Sequence, residues 1–463
     1  MASLLSTVSP RRVRIALTVV VCLLALSGVA ATATYDPPEL QRGTVTDPAN
    51  GTTVVSAHGW HASLTGPGDP DKPVRLVGLG PDATLEWEYE TTDVPGTRFY
   101  DVDPLPNGDL LVTNTTSDGQ TSVYRLDPDT GERRWTETLD IQDTHDVDLI
   151  NEDELLVANI KNSSNGTSYD GVFVYDRGED RITWHWYFRN HYPLSTDSGL
   201  DHDWTHVNDV DKIGNGTFMV SPRDFDQVIA IDRETKNITW RLGSDDDYTV
   251  MNEQHNPQYL ETESGQKTVL VADSENDRVV EYTYENGSWT KVWEVGDDQL
   301  QWPRDADRLP NGNTLIVDSM NHRVVEVTPQ GEIVWEYFVP WAPYDAERMA
   351  YGDEPGGPTM RDQNVSGSYE LSGSAGHAPH SGEPTVFQQA EFVTEDVPVL
   401  GDVVGWTVDK LQHYGPWAVP HWVPLSALFN GGLALVIGLG WAVGEAVIRR
   451  ERIVSGFRGR LGS

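Results

Sequence analysis

A tryptophan recurs along this chain in one local setting, and no other feature restricts the possible folds as much. Leu85-Glu86-Trp87, Arg133-Arg134-Trp135, Ile182-Thr183-Trp184, Ile238-Thr239-Trp240, Lys291-Val292-Trp293 and Ile333-Val334-Trp335 are spaced by 42 to 56 residues. A period of that size marks stacked supersecondary units, each too small to bury its own apolar face. Each unit reads as four short strands. The last is cleanest, with 304–308, the turn Pro310-Asn311-Gly312, 314–318, 323–328, the turn Pro329-Gln330-Gly331, and 332–337. Turn residues stand where hairpins need positive φ, and Val, Ile and Tyr fill the runs between them. The expectation is an all-β chain whose residues 50–340 form a six-bladed β-propeller. A pair of β-sandwiches would leave a Trp in the same strand of every unit unexplained.

The charge balance narrows the partners. Asp and Glu number 72 against 33 Lys and Arg, a net charge of −39 spread along the chain. Such a surface repels nucleic acid, which is bound by clustered cations. It suits a halophilic setting, where screening within about 3 Å at 1 M salt tolerates the self-repulsion. The only cysteine, Cys22, lies in an apolar run, so no internal disulfide is possible.

The termini read as membrane segments. Arg11, Arg12 and Arg14 precede an apolar run ending in Ala31-Thr32-Ala33, so residues 1–34 are either a signal peptide or an N-terminal anchor. Residues 425–448 have the length and apolarity of a transmembrane helix, with Glu445 near one end. The basic tail 449–463 then places the C-terminus in the cytoplasm and the propeller outside the cell membrane. Residues 341–424, rich in Gly, Pro, Ser and acids at first, read as an irregular extension or stalk.

Comparing the units separates scaffold from site. Their first strands align as Tyr100-Asp101-Val102-Asp103, His145-Asp146-Val147-Asp148, Asn208-Asp209-Val210-Asp211 and Arg304-Asp305-Ala306-Asp307, with His255-Asn256-Pro257-Gln258 diverged. The repeated Asp-x-Asp pair is expected to bond backbone in each blade. The residue before it varies, and this strand lines a propeller's axis. His145, His206, Asn208, His255 and Arg304 are therefore expected to converge, with Arg223 just past the next strand. Such a mixture of donors and cations suits an anion with several oxygens, which Arg grips in a bidentate way. It lacks the ligand set of a zinc or calcium site.

Trp204-Thr205-His206-Val207-Asn208-Asp209-Val210-Asp211, Ser221-Pro222-Arg223, the segment from Ile231-Asp232-Arg233 to Trp240-Arg241-Leu242-Gly243, and Gln254-His255-Asn256 resemble the core of the arylsulfate sulfotransferases that work without the PAPS donor. The resemblance covers residues 98–340. It implies a histidine, His255, that is transiently sulfated, with His145, His206, Asn208 and Arg223 holding the sulfuryl oxygens. It implies an aryl sulfate donor, a phenolic acceptor and no cofactor or metal. Arg304 and Tyr100 join the expected substrate site by register alone. The chain departs from the bacterial enzymes in having almost nothing before its first blade and a C-terminal span after its last.

Two further readings compete. Ala272-Asp273-Ser274-Glu275-Asn276-Asp277-Arg278 and Val317-Asp318-Ser319-Met320-Asn321-His322-Arg323 resemble NHL repeats, which points to a non-catalytic binding or scaffold propeller. A quinone-dependent dehydrogenase would need a calcium site that no spacing in the sequence supplies.

Overall fold

The computed structural model describes residues 9–35, 39–59, 73–90, 98–116, 118–160, 163–164, 167–200, 203–296, 299–375 and 423–461. They divide into two units, one within 39–416 and the other built from the two chain ends. Residues 376–422, where most of the expected stalk lies, are outside the described set.

The larger unit is a six-bladed β-propeller of antiparallel sheets. The fourth strand of every blade, counted from the axis, carries one of the recurring tryptophans: these strands are Leu85–Glu90, Arg133–Gln142, Arg181–Tyr187, Ile238–Gly243, Ser288–Val295 and Ile333–Phe338. The Trp indoles cross to the following blade. Trp184 Nε1 donates to the Arg233 carbonyl at 2.8 Å, Trp293 to Pro329 at 2.8 Å and Trp335 to Pro81 at 3.2 Å. The repeat thus encodes inter-blade contacts, where an amphipathic ring serves both apolar packing and a hydrogen bond. Between the blades lie fully buried aliphatic layers such as Leu156, Val210, Val220 and Ile229. Each such side chain contributes about 1.5–3 kcal/mol.

The blades extend past the expected limits of 50 and 340. Gln41–Val45 adds a fifth, outermost strand beside Ile333–Phe338. Pro343–Arg348, which read as the start of an irregular extension, is the innermost strand of the blade holding Thr53–Ala57, Arg75–Leu79 and Leu85–Glu90. The propeller closes only if one blade takes its inner strand from the far end of the sequence.

Five of the six inner strands share one irregularity. Register shifts fall between Phe99 and Val102, Val207 and Asp209, His255 and Gln258, and Pro303 and Asp305, and the strand pairing of Pro343–Arg348 shifts at Pro343/Asp345. A bulge resets the two-residue alternation. Tyr100, Asn208, Arg304 and Tyr344 lie within these shifts, each directly before the acidic pair of its strand. That pair also bonds backbone, as expected: Val102 N donates to Asp345 Oδ2 at 2.8 Å, Lys212 N to Asp148 Oδ2 at 3.1 Å and Ala346 N to Asp305 Oδ2 at 3.3 Å.

The other unit holds helices α1, Pro10–Ala33, and α2, Leu425–Leu461. Both contain windows long and apolar enough to cross a membrane, and side chains such as Leu26, Val29, Val436 and Val443 stand exposed. They pack antiparallel. Gly28 meets the Ala427 carbonyl so closely that a Cβ there would lie 3.1 Å from it. Asn430 donates to Ser27 Oγ at 3.2 Å, and Arg14 grips Glu445 through two bonds of 2.6 and 2.8 Å. Small residues at the contact and one polar bridge are how helices associate in lipid.

Candidate functional site

His145, His206, His255, Arg304 and Tyr100 converge on one end of the propeller axis, as the alignment of inner strands implies. All are buried, His255 completely. The His145 and His206 rings lie 5.0 Å apart, and His145 stacks on Tyr100 at 4.2 Å. Arg304 lies over the Tyr344 ring, 4.7 Å from its centre.

His255 is held in one tautomer. Its Nδ1 lies 2.8 Å from Ser274 Oγ and 3.2 Å from the Glu253 carbonyl. Ser274 gives its own proton to the Pro303 carbonyl at 2.7 Å, so both neighbours of Nδ1 accept, and Nδ1 carries the hydrogen. Nε2 then bears the lone pair, buried and reached by no donor among the described residues. Burial, followed by the charges of Arg304 and Arg223, lowers the His255 pKa well below the ordinary histidine range. The ring is neutral at physiological pH.

The remaining residues take different parts. His206 precedes its strand with φ of +38°, and its Nδ1 lies 2.9 Å from Asp203 Oδ2. Two residues on, Asn208 sits across a bulge and donates to the Gln254 carbonyl at 2.9 Å. The two do not share a strand face, and Asn208 braces the residue before His255. Arg223 Nε pairs with Asp224 at 2.8 Å and Glu253 at 3.4 Å. Burial alone would lower its pKa, but those carboxylates raise it above the usual arginine value. Arg304 shows the opposite balance, pulled down to about 10, first by burial. Tyr100 donates to Asp143, which also accepts from Arg98 at 3.4 Å.

Three groups went unread in the sequence. Tyr344 donates to or accepts from His145 Nδ1 at 3.0 Å and borders Tyr100, His255 and Arg304. Its signal was present: Tyr344-Asp345-Ala346-Glu347 repeats the register of Tyr100-Asp101-Val102-Asp103. His58, edge-on to Tyr100 at 4.9 Å, carries no such signature, and Ser274 stands in the segment that resembles an NHL repeat, where Ser319 is its counterpart. Among the described residues, the one carboxylate or histidine group with metal-ligand spacing is Asp103, Asp148 and Asp353, away from these histidines.

Residues 180–339 match the Arylsulfotransferase (ASST) family model, a span holding His206, Asn208, Arg223, His255 and Arg304. No curated protein matches the chain. Among solved structures it is similar to a protein of unknown function from Bacteroides caccae, at 14% identity over 62% of this chain and 93% of the other, with a TM-score of 0.44. It is also similar to virginiamycin B lyase from Staphylococcus aureus, at 12% identity over 52% and 70% of the two chains, with a TM-score of 0.33.

Proposed function

We propose that this chain is a membrane-anchored arylsulfotransferase, with its propeller outside the cell, that moves a sulfuryl group from an aryl sulfate to a phenol through sulfo-His255. The carrying observation is His255 itself, a buried neutral imidazole whose Nδ1 is fixed by two acceptors, whose Nε2 has no hydrogen-bond partner among the described residues, and whose pKa is lowered by burial and by Arg304 and Arg223. The family match supports the reaction class.

In the first half-reaction the Nε2 lone pair attacks sulfur, the S–O bond to the aryl group breaks, and its electron pair leaves on the phenolate. Arg304 and Arg223 stabilise charge on the sulfuryl and phenolate oxygens, where positioning and electrostatics supply most of the rate. In the second, the oxygen of an acceptor phenol bonds to sulfur and the N–S pair returns to Nε2. His206, braced by Asp203, takes the phenol's proton and releases it to solvent. His145 and Tyr344 border the same space, and Asn208 orients rather than donates.

Full-length protein in detergent and high salt should release nitrophenol from 4-nitrophenyl sulfate, faster with added phenol, which becomes sulfated. Donor that binds without any release would favour a binding propeller instead.

A further inference from the structure

Beyond the histidines, further along the same axis, lies a cavity of about 30 Å³, room for an ion or a water or two, in which twelve of fifteen lining residues are carboxylates and none is Lys or Arg. Its construction follows from the inner-strand register. Its lining is the positions one and three residues after Tyr100, His145, Asn208, His255, Arg304 and Tyr344. Five blades supply acids at both positions, and the blade of His255 supplies Asn256 and Gln258. Asp353 and Glu354, from the segment after the closing strand, enter from outside the six blades and add two more.

Backbone N–H groups of neighbouring blades satisfy one oxygen of Asp148, Asp305 and Asp345. They do not account for the rest. Asp101 Oδ2, Asp209 Oδ2, Asp307 Oδ2 and Glu347 Oε2 are buried without a donor among the described residues, on residues only 5–7% exposed. Unbalanced carboxylates at this depth are costly unless a cation or protons neutralise them. Within the group, ligand oxygens of Asp103, Asp148 and Asp353 lie within 4.8 Å of one another. Oxygens on a calcium shell of 2.3–2.6 Å radius are at most about 5 Å apart, and calcium takes six to eight of them.

We propose that this cavity binds a divalent cation of the calcium type, held by Asp103, Asp148 and Asp353 with oxygens from the rest of the lining. The acid-bearing segment 353–354 is otherwise driven away from an acidic lining, so the cation ties that segment to the blades and completes the propeller's closure. The site is structural and independent of the sulfuryl chemistry.

The test uses full-length protein in detergent at constant high salt. After exhaustive treatment with a chelator that binds calcium, thermal unfolding is followed with calcium, magnesium or neither added, and metal content is measured by mass spectrometry. Expected are stoichiometric calcium retained through dialysis, a fall in Tm of about 5 °C or more on chelation, and its recovery with calcium. Asp353→Asn and Asp103→Asn should each abolish retention and the calcium-dependent shift, while Glu234→Gln on the exposed surface leaves both intact. A wild type that retains no metal and melts identically with and without chelator, or an Asp353→Asn variant with unchanged retention, overturns the proposal and leaves shared protons as the neutralising agent. Recovery by magnesium but not calcium would overturn the assignment of the ion.

Discussion

Ser274 Oγ sits 2.8 Å from His255 Nδ1 and donates onward to the Pro303 carbonyl, so one hydroxyl links three successive parts of the chain and fixes which imidazole nitrogen carries the proton. Ser274→Ala keeps the weaker Glu253 carbonyl contact at 3.2 Å. One such hydrogen bond is worth about 1–1.5 kcal/mol, so the first half-reaction should slow roughly tenfold with donor affinity unchanged. Stopped-flow release of nitrophenol separates the two quantities, and a pure loss of affinity would contradict this positioning role.

His255→Ala should abolish transfer outright. Donor given without acceptor should leave wild-type protein heavier by one sulfuryl group, and phenol should remove it. Intact-mass measurement on both proteins decides the matter; transfer by the alanine variant rules out a sulfo-histidine.

The pH profile has a definite sign. The reactive form of His255 is neutral, and burial with nearby Arg304 and Arg223 lowers its pKa. The nucleophile is therefore fully available above the ordinary histidine range, stays available as pH falls through about 6.5, and is lost only well below that. Adduct formation without acceptor, quenched in alkali for detection, should be flat from neutral pH down through that value. A midpoint at an ordinary histidine pKa would show that the imidazole is not buried among cations.

Arg304 is flanked by Tyr344 and by Trp302, whose ring centre lies 5.6 Å from the guanidinium. Arg304→Lys keeps a charge but loses the planar fork and the stacking. Donor affinity should weaken about tenfold by calorimetry, with the fold intact by circular dichroism. Unchanged affinity would return Arg304 to a structural role.

Arg348 and Glu326 test the closure. They pair at 2.7 Å with side chains 1% and 4% exposed, joining the closing strand to the neighbouring blade. Removing one partner of a buried pair costs about 3–5 kcal/mol. Arg348→Ala should lower Tm by several degrees, and the double variant with Glu326→Ala should lose less than the two singles combined. Additive losses would show that the pair is not coupled.

The blade number was legible because the recurring Trp serves each blade's contact with the next. The convergence of His145, His206, His255, Arg304 and Tyr100 was legible, their geometry less so. Bulges decide what reaches the axis, and alternation along a strand cannot predict them, which is why Asn208, expected to converge with His206, instead braces the residue before His255. Tyr344 was missed because the closing strand follows the last Trp, outside the counted units. The Asp-x-Asp pairs were read for their backbone bonds, and their second oxygens went unnoticed because burial depth is not written in a local motif.

Closure also has a cost in time. Asp345 N donates to Ser56 Oγ across 289 residues of chain, so the strand Thr53–Ala57 has no inner partner until nearly the whole propeller has been synthesised. At about 5–20 residues per second that is a wait of roughly 15–60 s. Throughout it the earliest blade presents a bare strand edge, the template on which chains pair with one another. A ribosome that stalls before residue 343 would therefore release a protein with all six repeating tryptophans and an open seam, a substrate for aggregation or for a chaperone that masks edges.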